Sequence, residues 1–196
     1  PEPTKWLDTS EMMSGLRRSG LSLPYFSIDS RYGMRLNGSG DTVRPFHHLD
    51  PPDTYRADRL VSQVDIADYD AVFVPGGHGP MEDLAYDQDS AKLLQARMDS
   101  GRALGLVCHA PAALLAVDNE NWPFKGYKMT AFSNAEEGEE MVAAAKWALE
   151  TRLRELGADY QETDPMSPNV IVDRNLYTDQ NPASSEPLAQ RILRDF

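Results

Sequence analysis

Cys108 and His109 stand side by side in Leu106-Val107-Cys108-His109-Ala110-Pro111, and a thiol next to an imidazole can do nucleophilic chemistry. Cys108 is the chain's single cysteine, so it has no intrachain disulfide partner. The apolar run from Ala103 to Val107 reads as a buried strand that ends on the thiol. The small-residue segment from Ala110 to Leu115 reads as a helix that begins at once. A strand turning abruptly into a helix thrusts the turn residue out at the carboxyl edge of the sheet, where open α/β sheets place ligands. There the free N–H groups of the helix are expected to favour thiolate over thiol. The competing reading of a lone cysteine is a buried small hydrophobe.

A second stretch has the character of a binding loop. Asp70-Ala71-Val72-Phe73-Val74 reads as a strand that runs into Pro75-Gly76-Gly77-His78-Gly79-Pro80. Glycines directly after a strand let the backbone approach a ligand and aim N–H groups at an anion. The spacing has neither the Lys-Ser/Thr of a P-loop nor a G-x-G-x-x-G fingerprint, so an oxyanion-holding loop near Cys108 fits better than a phosphate loop. A plain Gly-Gly turn is the alternative. The pair His47-His48, with Asp50 and Asp53 nearby, has too few ligands at useful spacing and reads as solvated loop rather than metal site.

The elements that must position these residues follow from periodicity. Trp6 to Ser19 reads as a helix capped by Thr4, and Leu21 to Ile28 as a strand whose Pro24 suggests an edge position or an irregular start. Ser30 to Tyr55 is rich in Gly, Pro, Asp and Asn and reads as a long excursion with little regular structure. Ala57 to Val64 reads as a short helix, Ser90 to Ser100 as a helix, and Tyr127 to Phe132 as a strand. Ser133 to Glu137 looks like a cap followed by helix. Leu149, Leu153 and Leu156 mark an amphipathic helix, Val170–Val172 and Leu176–Thr178 a hairpin-like pair, and Asn181 introduces a last helix carrying Leu188, Ile192 and Leu193. Strands alternating with helices predict one α/β domain over residues 1–196, a sandwich around a mostly parallel sheet.

The bulk numbers narrow the partners. The 196 residues carry 31 acidic against 19 basic side chains, a net charge of −12. Nucleic acid and anionic membrane surfaces both need clustered cation, so neither is an expected partner. The apolar runs are short and the first residues polar, so the chain reads as soluble and cytoplasmic.

Three segments together resemble the ThiJ/PfpI superfamily: DAVFVPGGHGPM (70–81), LVCHAPAALL (106–115) and TDQNPASS (178–185). The branch they resemble is that of heat-shock chaperones and glutathione-independent glyoxalases of the glyoxalase III type. The resemblance implies a flavodoxin-like three-layer α/β sandwich, a homodimer, a small carbonyl substrate such as the 2-oxoaldehyde methylglyoxal, and no metal or organic cofactor. Residue by residue it implies Cys108 as nucleophile and His109 as its partner. Glu137 would be the acid that orients His109, with Glu136 the fallback, and the amides of Gly76, Gly77 and His109 would face the oxyanion. Asp8 falls where the family has a glutamate that hydrogen-bonds the cysteine, one methylene shorter. Family members also begin with an apolar strand ahead of the first helix, which is not visible before Trp6. A Cys-dependent hydrolase or hydratase, a chaperone or redox sensor, and an inactive partner subunit are the rival readings.

Overall fold

Alternation of side chains assigns the two faces of each central strand. In the segment entering β4 (Val72–Val74), Val72 and Val74 join one core while Ala71 and Phe73 join another. The same split recurs in β5 (Leu104–Val107), where Leu104 and Leu106 oppose Val107, and in β9 (Leu176–Asp179), where Leu176 opposes Tyr177. Each strand is therefore buried on both sides, as strands of a covered parallel sheet are. These relations come from a computed structural model that describes residues 25–29, 33–37, 59–60, 65–117 and 120–195. The predicted Trp6–Ser19 helix, Asp8 and the His47-His48 pair lie outside the described residues.

The main sheet has the order β3-β2-β1-β4-β5-β9-β8, with β1 (Tyr25–Asp29), β2 (Gly33–Asn37), β3 (Arg59–Leu60) and β8 (Val170–Asp173) completing it. Its centre, β1-β4-β5-β9, is parallel, and antiparallel pairs extend it at both ends. One face is covered by α2 (Gln88–Asp99), the 3-10 helix Ala110–Ala116 and α5 (Leu149–Glu155), through Leu94, Leu114 and Leu153. The other face is covered by α6 (Ser185–Asp195), through Leu188, Ala189 and Ile192. The arrangement is an α/β sandwich of three layers with a mixed, mostly parallel sheet. Among the described residues no helix is long and apolar enough to cross a membrane.

Several expectations need correction. The described part of the 21–28 strand is β1, an interior strand flanked by β2 and β4 and not an edge. The 30–55 excursion contains β2, paired to β1 from Tyr25↔Asn37 to Asp29↔Gly33. Within 57–64, Arg59–Leu60 is a strand on the edge of β2, not a helix, since pairing with a distant strand overrides local preference. With β1 on one side and β5 on the other, β4 is paired along both edges. The 127–132 strand contracts to β6 (Lys128–Met129), which pairs with β7 (Asp159–Tyr160) in a separate two-stranded sheet. Beyond it, the Thr130 N–H donates to Thr178 Oγ1 and the Ala131 N–H to Tyr160 Oη, so side chains replace the ladder.

A buried arginine escaped the pattern reading. Arg97 on α2 is fully buried and donates to the carbonyls of Ile66 (2.8 Å), Tyr69 (3.1 Å) and Asp70 (3.4 Å), pinning the turn that feeds β4. Burial brings its guanidinium down to about 10.

Gly105 lets α6 approach the sheet. A Cβ there would lie 2.9 Å from Ile192 Cδ1 and 3.0 Å from Phe73 Cδ2. Gly105→Ala is expected to cost about 1–3 kcal/mol through overpacking, read as a lower urea midpoint with unchanged slope.

Candidate functional site

Position 108 departs from ordinary strand and helix geometry. Cys108 has φ 57, in the left-handed region that a β-carbon disfavours, so surrounding contacts must hold it there. They are identifiable. Its N–H is shared between the Asp179 carbonyl (3.2 Å) and Asp179 Oδ1 (2.9 Å), and its own carbonyl accepts from the Phe132 N–H at 2.9 Å. Val107 and Asp179 are register partners on β5 and β9, which places that carboxyl beside the elbow. Gly76 closes against the other side: a Cβ on it would lie 2.7 Å from Cys108 Cβ and from the Val107 carbonyl oxygen. After the elbow the predicted helix is a 3-10 helix, Ala110–Ala116, capped at His109.

The imidazole lines up between thiol and acid. The Cys108 thiol is 3.2 Å from His109 Nδ1, and His109 Nε2 hydrogen-bonds Glu137 Oε1. His109 is 2 % exposed and stacks on Phe132 with ring centroids 4.6 Å apart. In the tautomer these partners select, Nε2–H donates to Glu137 and the Nδ1 lone pair faces the S–H. Burial holds His109 below its ordinary pKa, which keeps the resting imidazole neutral. Burial also works to raise the Glu137 carboxyl. The His109 hydrogen bond and the neighbouring imidazoles outweigh it and hold the group below the usual glutamate value.

The choice between the adjacent glutamates is made by capping. Ser133 caps α3 (Asn134–Glu137), and Glu136 completes the capping box by accepting from the Ser133 N–H and Oγ, both at 2.9 Å. Its other oxygen accepts from the Met166 N–H (2.9 Å) and Asn181 Nδ2 (2.8 Å). Glu136 is thus committed to structure, and Glu137, one position on, faces His109.

The glycine loop brings one unforeseen side chain. The amides of Gly77 (φ 98) and His109 act to favour the Cys108 thiolate, which sets both on the sulfur's side of the elbow as candidate donors to an oxyanion. Gly76 contributes close approach. His78, 64 % exposed at its side chain, sets Nε2 3.3 Å from Glu137 Oε1 and 3.5 Å from Oε2, its ring centroid 4.2 Å from that of His109. His78, His109 and Glu137 bring three possible ligand atoms within 4.8 Å of one another. The only signal for His78 in the sequence was its place directly after the glycine pair. Asp179, in the 178–185 motif, was likewise present without an assigned role.

The electrostatics correct one expectation. Cys108 is 8 % exposed, and burial, with the nearby Asp179, pushes its thiol up to about 12. The Gly77 and His109 amides work the other way without prevailing. A seven-residue 3-10 helix also supplies less aligned dipole than an α-helix. At neutral pH the resting site therefore holds a thiol facing a neutral base. Asp179 is fully buried with Oδ2 lacking a hydrogen-bond partner among the described residues, and burial raises its pKa well above the carboxylate norm.

Two outcomes follow. Alkylation of Cys108 by iodoacetamide should accelerate about tenfold per pH unit from neutrality upward, without a reactive plateau at mildly acidic pH, in mass-spectrometric time courses. Because the folded pKa of Asp179 is raised, its stabilising contribution is complete below the unfolded pKa and is lost as pH rises toward the folded value. Asp179→Asn should therefore gain stability relative to wild type as pH increases through that window, measured by urea melts at several pH values.

Comparison with known proteins agrees with this fold. The profile of the DJ-1/PfpI family matches residues 4–195. The protein/nucleic acid deglycase HchA of Escherichia coli O7:K1 is 32% identical over 145 residues, covering 71% of this chain and 51% of that protein. The chain thus spans about half the length of the curated relatives it matches. The Rapid Encystment Protein of Francisella tularensis superposes with a TM-score of 0.66 at 28% identity, over 71% of this chain and 63% of that one. Glyoxalase III of Candida albicans gives a TM-score of 0.62 at 26% identity, over 69% and 61%.

Proposed function

The chain belongs to the DJ-1/PfpI family, and from that premise we propose that it is a glyoxalase III-type enzyme that converts a small 2-oxoaldehyde such as methylglyoxal to the 2-hydroxyacid. The observation that carries this reading is the continuous line from the Cys108 thiol through His109 to Glu137, with two amides on the sulfur's side of the elbow. Likeness to a named glyoxalase III supports it.

The chemistry follows from the resting protonation state. Cys108 adds to the aldehyde carbon as its proton passes to His109 Nδ1, so the thiolate exists only during attack and the high thiol pKa is no obstacle. The imidazolium that forms is stabilised by Glu137, and the Gly77 and His109 amides hold the hemithioacetal oxyanion. A proton then leaves the former aldehyde carbon and the adjacent carbonyl carbon is protonated, through an enediol, giving a thioester of the 2-hydroxyacid. Water cleaves that thioester and regenerates the thiol. The sequence is an internal redox exchange between neighbouring carbons and consumes no external oxidant or reductant. Asp8 is assigned to the proton relay by resemblance alone.

The names of the curated relatives favour a second reading, repair of glycated protein or nucleic acid. The same hemithioacetal chemistry would then act on an aldehyde delivered as an adduct. A nucleic-acid substrate sits poorly with the net charge of −12, so a protein or small-molecule adduct is the form favoured.

Incubation with methylglyoxal in the absence of glutathione is expected to yield lactate. Cys108→Ser should abolish it, Glu137→Gln should lower kcat at least about a hundredfold, and Glu136→Gln should act mainly through stability. No lactate from folded wild-type protein would refute the reading. Lactate from a glycated thiol under conditions that scavenge free aldehyde would favour the deglycase form.

A further inference from the structure

Glu137 is shared. Both imidazoles that approach it do so through Nε2, His109 from the buried side and His78 from solvent, onto the same oxygen, Oε1. A single proton between His109 and Glu137 satisfies that pair, which leaves His78 as an exposed second imidazole aimed at a carboxylate already in use. Two imidazole nitrogens and a carboxylate oxygen within 4.8 Å of one another are the donor set of a borderline divalent ion. With metal–ligand bonds of about 2.0–2.2 Å, ligands at tetrahedral angles sit roughly 3.3 Å apart. The His78–Glu137 separation of 3.3 Å already matches, the exposed His78 ring is free to close on His109, and the hydrogen-bonded His109–Glu137 pair opens to admit the ion in place of its shared proton.

The three ligands come from three segments: the loop after β4, the elbow, and the end of α3. The fold rather than local sequence brings them together. Cys108 is not among them, because its sulfur meets His109 at Nδ1, the opposite ring nitrogen.

We propose that His78, His109 and Glu137 form an inhibitory site for a divalent transition-metal ion, Zn2+ being the best matched, whose occupation takes the catalytic base away from Cys108. A metal on Nε2 needs that nitrogen's lone pair, so the ring hydrogen moves to Nδ1. His109 then has no lone pair to receive the Cys108 proton, and Glu137 is diverted from orienting the ring to holding the ion. The open coordination positions face solvent on the His78 side. The site is therefore filled or stripped from outside without unfolding, and the chain is switched off without oxidation of its thiol.

The inhibitory half rests on the glyoxalase reading, while the metal-binding half does not, and the experiment separates them. Co2+ is titrated into the full chain carrying Cys108→Ser, which cannot turn over. One ion per chain is expected, with visible d–d bands of a four- or five-coordinate nitrogen/oxygen site. His78→Gln, at an exposed position, should weaken binding at least about tenfold, the cost that altering even a group behind a ligand carries. In the wild-type background Co2+ should give no near-ultraviolet thiolate charge-transfer band. Zn2+ should suppress lactate formation, with a chelator restoring it and His78→Gln shifting the inhibitory concentration upward by the same factor. Absent Co2+ binding, binding indifferent to His78→Gln, or a thiolate band would each overturn the proposal. Binding as described by a chain that, free of metal, makes no lactate would overturn the glyoxalase reading and leave the metal site standing.

Discussion

The site depends on one strained residue being held in place. Cys108 occupies left-handed backbone space that costs a non-glycine residue of order 1 kcal/mol or more, and a free turn would relax out of it. Asp179 prevents that by taking the Cys108 N–H on two oxygens, and the parallel register of β5 with β9 puts Asp179 at the required height. Gly76 permits the strained turn from the other side, by leaving no atom where a β-carbon would strike Cys108. The thiol direction, the His109 ring position and the reach of the Gly77 amide all follow from that one turn.

Burial is the second organising condition, and it acts on every ionisable group at once. It keeps His109 neutral, raises the Cys108 thiol and raises Asp179, while Glu137, only partly buried and hydrogen-bonded to His109, stays ionised. A neutral base flanked by a thiol and a carboxylate is stable at rest and becomes an ion pair only when an electrophile is present to take the sulfur. The arrangement makes an uncharged thiol compatible with nucleophilic chemistry, provided the proton has His109 to receive it.

Much of this was legible in the residues. The apolar run into Cys108, the glycines after Asp70–Val74 and the cap at Ser133 each announced a turn at the carboxyl end of a strand or the start of a helix. The apolar run into Val107 announced a buried strand and Asp70–Val74 a second strand, and the structure covers both on their two faces. Local chemistry was less able to place pieces that depend on distant partners. Arg59–Leu60 became a strand because β2 offered an edge, and Tyr127–Phe132 shrank because Thr178 and Tyr160 captured its amides.

The sequence by itself determined the elbow cysteine proposed as nucleophile, its imidazole neighbour and the two turns that had to converge, because turn chemistry and periodicity are local properties. Tertiary structure alone decided the rest. It selected Glu137 over Glu136, since four hydrogen bonds from Ser133, Met166 and Asn181 occupy Glu136. It also reversed the expected sign of the Cys108 shift, because desolvation depends on what packs around a group and not on what precedes it in the chain. And it brought His78 to Glu137 across 59 residues of sequence, a proximity that no spacing rule encodes.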